Sequence, residues 1–224
     1  MRNNVITTVV TPAVSTDLTT LLNLKSELKL SGSVPADDIY LRRAIKQATA
    51  SAQNFCNRVF AQQTYQDLIQ VRPRHYTYPN FLPNRRDSYL VSNGPLVSVT
   101  SVNENGTVLV SGTDFEVDVA NGILYRLDSF GNPTDWVTFP LTIVYVGGYT
   151  LPPASPSTLP PDLEDAVIRM IKSKWFARDR DPMLKEEDIA GIGREVYWIG
   201  APGDGSMTPD VTDILDNYRI PAIG

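Results

Sequence analysis

The chain has 224 residues, 42% of them hydrophobic and 20% charged, enough to bury one good core or a main core with a smaller satellite. Its formal net charge of -5 argues against tight DNA binding driven by phosphate neutralisation, which needs clustered Lys and Arg. No apolar run approaches the roughly 18 residues needed to cross a bilayer, and Met1-Arg2-Asn3-Asn4-Val5 lacks the apolar stretch of a secretory signal, so a cytoplasmic, membrane-free protein is expected.

Thr20 to Leu30 reads as a first amphipathic helix, with Leu21, Leu24, Leu28 and Leu30 on one side and Thr20 as N-cap. Ser31-Gly32-Ser33-Val34-Pro35 supplies a stop. A second helix is expected from Ala36 to Phe60, started by Pro35 and by Asp37 and Asp38 at its positive dipole end. Leu41, Ile45, Ala48, Ala52, Phe55 and Val59 recur at spacings of four and three and so share a stripe, with small Ala48 and Ala52 allowing close approach of a neighbouring helix. The pair reads as a helical hairpin. Cys56, the only cysteine, excludes an intramolecular disulfide and reads as a buried structural thiol.

Ala61 to Val71 suggests a strand leaving the helix. The stretch Arg72 to Arg86 then holds three prolines, four arginines and three aromatics, and reads as an extended loop. Basic residues interleaved with aromatics suit single-stranded nucleic acid, through charge and stacking; a projecting loop that packs on a partner protein is the other reading. Beyond it, Tyr89 to Val91, Leu96 to Val102, Thr107 to Val110, Phe115 to Val119, Ile123 to Leu127 and Trp136 to Val146 are rich in β-branched and aromatic residues. Asn93-Gly94-Pro95, Asn105-Gly106, Ser111-Gly112, Asn121-Gly122 and Gly131-Asn132-Pro133 punctuate them, which predicts a compact antiparallel β unit. Asn105-Gly106-Thr107 matches a glycosylation sequon but reads more simply as a hairpin turn.

Leu151 to Pro161 is a Pro-rich, extended bridge, and Asp162 to Ala177 predicts a third helix, with Leu163, Val167, Met170, Ile171 and Trp175 as its apolar face and Trp175 and Phe176 as anchors. Asp179, Asp181, Glu186, Glu187 and Asp188 lack calcium-loop spacing and read as solvated charge. Glycines from 191 to 205 predict irregular structure containing a short apolar segment, Val196 to Ile199. Gly191-Ile192-Gly193 is a poor dinucleotide loop, with no strand leading in and no helix leading out. Thr208-Pro209-Asp210 opens a short last helix, and Arg219 to Gly224 is an apolar, Pro-stiffened tail. The whole reads as α+β: a helical bundle, made of the N-terminal hairpin and C-terminal helices, with an inserted antiparallel β unit. The expected divisions are 1–60, 61–150 and 151–224.

No catalytic constellation stands out. His75 is the only histidine and lies in the Arg-Pro loop, and no P-loop, nucleophile elbow or metal-binding His cluster is present. A non-enzymatic protein without cofactor or metal is expected; a hydrolase built on the β unit is the enzyme alternative and would need a polar cleft with shifted carboxylates.

Thr20-Leu21-Leu22-Asn23-Leu24-Lys25-Ser26-Glu27-Leu28, Asp37-Asp38 ahead of Leu41, Ile45 and Ala48, and Asn57-Arg58-Val59-Phe60 resemble the opening helices of the tailed-phage head-tail connector (adaptor) family. Gly94 to Val99, Gly112 to Val117 before Asn121-Gly122, and Ile143 to Tyr149 look like strands of its longer, β-inserted members. Leu159 to Ala166 resembles the start of its third helix, and Ile214 to Arg219 its closing Leu-x-x-Tyr-Arg element. The family's usual acidic residues after Leu21 are here Leu22 and Asn23, and the 72–86 loop looks like an extension. The resemblance implies a virion structural protein assembled in the host cytoplasm: a ring, dodecameric in the virion, beneath the portal protein and above a further tail or neck component. Twelve copies at -5 give -60, so DNA would slide through without adhering. Aromatics and Arg dominate interface energetics. Tyr197, Trp198, Tyr218, Arg219, Ile220, Pro221 and Ile223 are therefore the expected portal or neighbour contacts, and Tyr76, Tyr78, Phe81, Arg85 and Arg86 the tail-side or neighbour contacts.

Overall fold

The computed structural model describes residues 5–32, 34–70, 88–136, 138–178, 186–189, 193–196 and 207–220. The chain is α+β and divides into two compact units, Met1–Ser15 with Ala61–Tyr149, and Thr16–Phe60 with Thr150–Gly224.

The first unit is built on two antiparallel sheets. The larger runs β1 (Val5–Thr11), β2 (Gln63–Ile69), β9 (Leu141–Gly147), β4 (Leu96–Glu104) and β5 (Thr107–Val108) in that spatial order. The smaller sets β3 (Ser88–Leu90), β7 (Ile123–Leu127) and β6 (Phe115–Asp118) side by side, with β8 (Pro133–Thr134) also on β7. After the helices of the other unit the chain returns to this one on β2 and leaves it on β9, and these are hydrogen-bonded neighbours from Gln63 opposite Gly147 to Ile69 opposite Leu141. Both strands alternate buried and half-buried side chains along their length, as a strand with one face on a core must. Tyr65, Ile69, Tyr89, Val102, Phe115, Leu124, Trp136, Leu141, Ile143 and Tyr145 form that core. Asn105 and Gly106 both take positive φ, 49° and 89°, the backbone of a tight primed hairpin turn, so the sequon sequence is indeed the β4–β5 turn.

Two features of this unit differ from the sequence expectation. Trp136 to Val146 is not one strand: β9 begins only at Leu141, because Pro140 has no N–H to give a ladder, while Trp136 is a buried core side chain. Val5–Thr11, for which the sequence suggested no element, is a strand, antiparallel to β2 from Val5 opposite Ile69 to Thr11 opposite Thr64, with an irregularity between Val9 and Thr11.

In the second unit, α1 (Leu21–Glu27) starts at Thr20, whose hydroxyl accepts the Asn23 amide at 3.1 Å, a cap that contributes about 1 kcal/mol. It buries Leu24 and Leu28 and leaves Leu22 exposed. α2 (Pro35–Cys56) buries Leu41, Ala44, Ile45, Ala48, Thr49, Ala52 and Cys56. It is shorter than its apolar periodicity implied: Asn57 takes a left-handed conformation at φ 53° and closes the helix, leaving Val59 outside it. Cys56 lies on the buried stripe, its thiol donating to the Leu215 carbonyl at 3.3 Å, and burial pushes its pKa up to about 11. α3 (Pro161–Phe176) packs on α2 and on α4 (Pro209–Asp216) through Leu163, Ala166, Val167, Met170, Ile171 and Trp175. Phe176 is no anchor: it is 75% exposed, one helical step off the buried face. Polar ties join the elements: Leu18 N–H donates to Thr49 Oγ1 inside the unit, and Thr19 Oγ1 and Asn23 Nδ2 both donate to Glu164 Oε1 at the start of α3. An antiparallel hairpin of β10 (Glu186–Ile189) and β11 (Gly193–Val196) follows α3. Glu186, Glu187 and Asp188 thus lie on a strand, and a strand does lead into Gly191-Ile192-Gly193. Another strand follows it where a dinucleotide loop would need a helix.

Candidate assembly surfaces

Of the residues expected to touch the portal or a neighbour, Tyr218, Arg219 and Ile220 are described, and all three are fastened to their own helical unit. Tyr218 donates its hydroxyl to both carboxylate oxygens of Asp162, at 2.7 and 2.8 Å, and meets Phe60 edge-to-face with ring centroids 6.3 Å apart. The Arg219 guanidinium lies 5.1 Å from the Phe55 ring centroid and 3.7 Å from Asp216, on the same side of the chain end. Ile220 donates its N–H to the Cys56 carbonyl at 3.0 Å and accepts from Asn57 Nδ2 at 3.1 Å, so the segment also satisfies backbone groups left open where α2 ends. The structure brings these residues together around the C-terminal end of α2, with Arg219 exposed and Tyr218 and Ile220 half-buried. Tyr197, Trp198, Pro221 and Ile223 lie outside the described residues, as do Tyr76, Tyr78, Phe81, Arg85 and Arg86.

The other end of the same helices carries a second cluster. Arg178 sits 3.8 Å over the Trp175 ring and pairs with Asp37 at 3.2 Å, while Tyr40 meets Trp175 edge-on at 5.7 Å. Nearby in sequence, Val34, Ile39 and Phe176 are exposed apolar side chains.

In the β unit a groove of about 760 Å³ is lined by Glu104, Asp114, Arg126, Asp128, Asp135 and neighbours. Its charges are occupied in holding loops. Arg126 pairs with Glu104 at 3.2 Å and donates to the Asp114 and Leu127 carbonyls at 2.6 and 2.7 Å. Asp128 accepts the Phe130 and Asn132 amides, bonds that hold its carboxyl below the usual carboxylate range. A carboxylate so lowered stays ionised at neutral pH and is not a general acid. Among the described residues, no group of three or more His, Cys, Asp or Glu side chains is placed to hold a metal ion, and no helix is long and apolar enough to cross a membrane.

Sequence reasoning passed over the deepest polar feature of the unit. Asp67, fully buried on β2, accepts from Thr7 Oγ1 at 2.6 Å, Tyr89 OH at 3.0 Å and the Ser92 amide at 3.1 Å. The Tyr145 hydroxyl, which accepts the Asn93 amide at 3.0 Å, lies within the field of the same carboxyl. Burial, and then the Asp67 charge, push both tyrosine hydroxyls well above their ordinary pKa, so both remain donors at any physiological pH. One carboxyl on β2 thus ties β1 and the start of the smaller sheet to the larger one.

Two solved structures share this fold along nearly the whole chain. One is a chain from the neck of an empty gene transfer agent (GTA) particle, computed with C6 symmetry, at a TM-score of 0.52 and 16% identity over 98% of each chain. The other is a chain from the virion of a native GTA particle, at a TM-score of 0.53 and 15% identity over 98% of each chain. No family model matches the sequence, and no curated protein matches it.

Proposed function

We propose that this chain is a structural protein of a phage-like virion neck, an adaptor that forms a ring beneath the portal, links capsid to tail and surrounds the DNA passage without making or breaking bonds. The observation that carries the reading is that its fold follows a chain of a GTA particle neck over 98% of both lengths, both units included. The acidic net charge supports a passage to which DNA does not adhere. In this reading the helical hairpin of α1 and α2 contributes to subunit contacts, and the β unit projects toward the next tail or neck component with the loop bearing Tyr76, Tyr78, Phe81, Arg85 and Arg86. The portal is gripped by the C-terminal segment from Tyr218 to Ile223 together with Tyr197 and Trp198. Tyr218 and Ile220 are fixed points from which that tail departs, since both are hydrogen-bonded to the bundle.

The test is to disrupt the gene in a particle-producing strain and to image the products. Filled heads without tails, with complementation restoring a density collar that a tag on this chain labels, are the expected result. Normal tailed particles in its absence, or purified particles lacking the chain, would refute the proposal.

A further inference from the structure

Besides Val14, Val119 and Phe130, the large apolar side chains that the β unit leaves in water lie at two places. Ile6, Val9 and Val10 are 45%, 50% and 53% exposed on β1; Val97, Val108 and Val110 are 44%, 67% and 59% exposed on and beside β4 and β5. These are the two opposite margins of the five-stranded sheet. Among the described residues β1 has β2 on one side only, so every second N–H and C=O along its outer side has no ladder partner there. β4 has β9 on one side, but on the other β5 pairs only with Asn103 and Glu104, and among the described residues no strand pairs with the stretch from Val97 to Ser101 there.

Natural edge strands are kept from joining others by charge, proline or brevity. β1 has none of these, and its one irregularity, between Val9 and Thr11, lies at its far end: its seven residues, Val-Ile-Thr-Thr-Val-Val-Thr, are all β-branched and all uncharged. The open stretch of β4, Val-Ser-Val-Thr-Ser, is likewise uncharged and free of proline. The partner each edge calls for is an uncharged, β-branched strand, and the chain offers one to the other.

We infer that copies of this chain join head to tail through these edges, β1 of one copy lying against the open half of β4 of the next. The strand count favours this over a two-fold join. All neighbours in the order β1-β2-β9-β4 are antiparallel, so β4 runs opposite to β1. A copy related by rotation about a ring axis brings its β1 alongside β4 antiparallel, and the sheet continues without a change of pattern. The rows also correspond: Thr8 faces Gln66, which faces Val144, which faces Ser101, all on one face of the sheet, and Thr11, Thr64, Val146 and Ser98 form a second such row. β4 carries register shifts between Leu96 and Ser98 and between Val99 and Ser101, and such bulges coil a sheet, which closure requires. A heterologous contact of this kind closes into a ring where a self-complementary one gives only pairs. The inference rests on the neck-ring reading and gives that ring its subunit contact.

Cysteine cross-linking tests it cleanly, since the only native cysteine, Cys56, is buried. Thr8→Cys is combined in the full chain with Ser98→Cys, Thr100→Cys or Ser101→Cys, spanning the register. The variants are oxidised both as purified protein at rising concentration and in particle-producing cells. A ladder of dimer, trimer and higher bands is expected from at least one double variant and from no single variant. Dimers alone from Thr8→Cys would mean a two-fold β1 join and would overturn the head-to-tail contact, as would the absence of a ladder from every double variant in both settings. Hydrogen exchange on the unsubstituted chain gives an independent reading: amides of residues 5–11 should gain protection at least tenfold on assembly, and unchanged exchange counts against the contact. Particles that carry the chain in the neck without such links would sink the contact and leave the neck reading standing; a ladder from a chain missing from particles would do the reverse.

Discussion

Replacing Asp67 with alanine should be among the most damaging single changes in the β unit. The side chain is fully buried and serves three protein donors, one of which cannot turn to water when it is removed. Tyr89 is itself fully buried, so its hydroxyl would be left without an acceptor, at about 1–3 kcal/mol. The half-buried Ser92 amide adds a smaller amount, and the exposed Thr7 hydroxyl can find water at almost no cost. The sum is about 1–4 kcal/mol, a large part of the 5–15 kcal/mol that holds a typical domain together. The perturbation is specific enough to be checked by a cycle. Tyr89→Phe removes the stranded donor, so Asp67→Ala made on top of it should cost about 1–3 kcal/mol less than in the parent chain. Urea unfolding with native-state hydrogen exchange of the β2 and β9 amides measures both terms. A loss under about 0.5 kcal/mol for Asp67→Ala, or additivity with Tyr89→Phe, would refute the claim that this carboxyl organises the unit.

Gly148→Ala should destabilise the β unit by more than about 2 kcal/mol by thermal unfolding, because Gly148 sits at φ 110° and a Cβ there would come within 2.6 Å of the Ala61 carbonyl oxygen, whereas the same change at open, positive-φ Gly131 meets nothing within 4 Å and should cost less. Ile171→Ala, at a fully buried position of α3, should lose about 2–5 kcal/mol of helical-unit stability, while Phe176→Ala five residues on should stay within about 0.5 kcal/mol in the same assay. Acid should weaken the helical unit. Glu27 is held below its usual range by its hydrogen bond to Lys172, and Asp210 by the Thr208 hydroxyl and then Arg169. A lowered carboxylate contributes stability above its unfolded pKa and loses it as pH falls through the folded one. The melting temperature followed by circular dichroism should therefore fall as pH drops below about 4.5, and less so in Lys172→Met, where the Glu27 part is already gone.

The helices were legible because their signals are local. An N-cap, a proline at the first turn and apolar residues three and four apart are contained within one segment, and Thr20, Pro35 and the stripe from Leu41 to Ala52 lie where those signals put them. The end of α2 was missed because Val59 continues the period while Asn57 ends the helix through its backbone, and left-handed residues other than glycine carry a weak signal. β2 was legible as a strand but not in which face it buries. Its buried phase, Gln63, Tyr65, Asp67 and Ile69, alternates amide, aromatic, carboxyl and aliphatic, so hydrophobicity does not alternate even though burial does. Asp67 can be buried only because donors from residues 7, 89 and 92 converge on it, and such convergence has no trace in a linear pattern. Tyr218, Arg219 and Ile220 were picked by residue type, which carries no trace of the intramolecular bonds that the fold gives them.

An open edge is a still less local property, and β1 illustrates why it escaped a reading that found nearly every hairpin. Its run of β-branched residues was visible, but strand propensity at an N-terminus does not distinguish a central strand from an edge; that depends on which strand is not there beside it. Only the order β1-β2-β9-β4-β5 shows that the uncharged strand is at the margin and that the opposite margin is half open. The seven residues of β1 keep half their backbone groups unladdered and expose three large apolar side chains. For a chain that worked alone, one lysine on β1 would have guarded it at little cost to the fold. Seven consecutive residues without a charge or a proline, irregular only between Val9 and Thr11, are what an edge used for joining looks like.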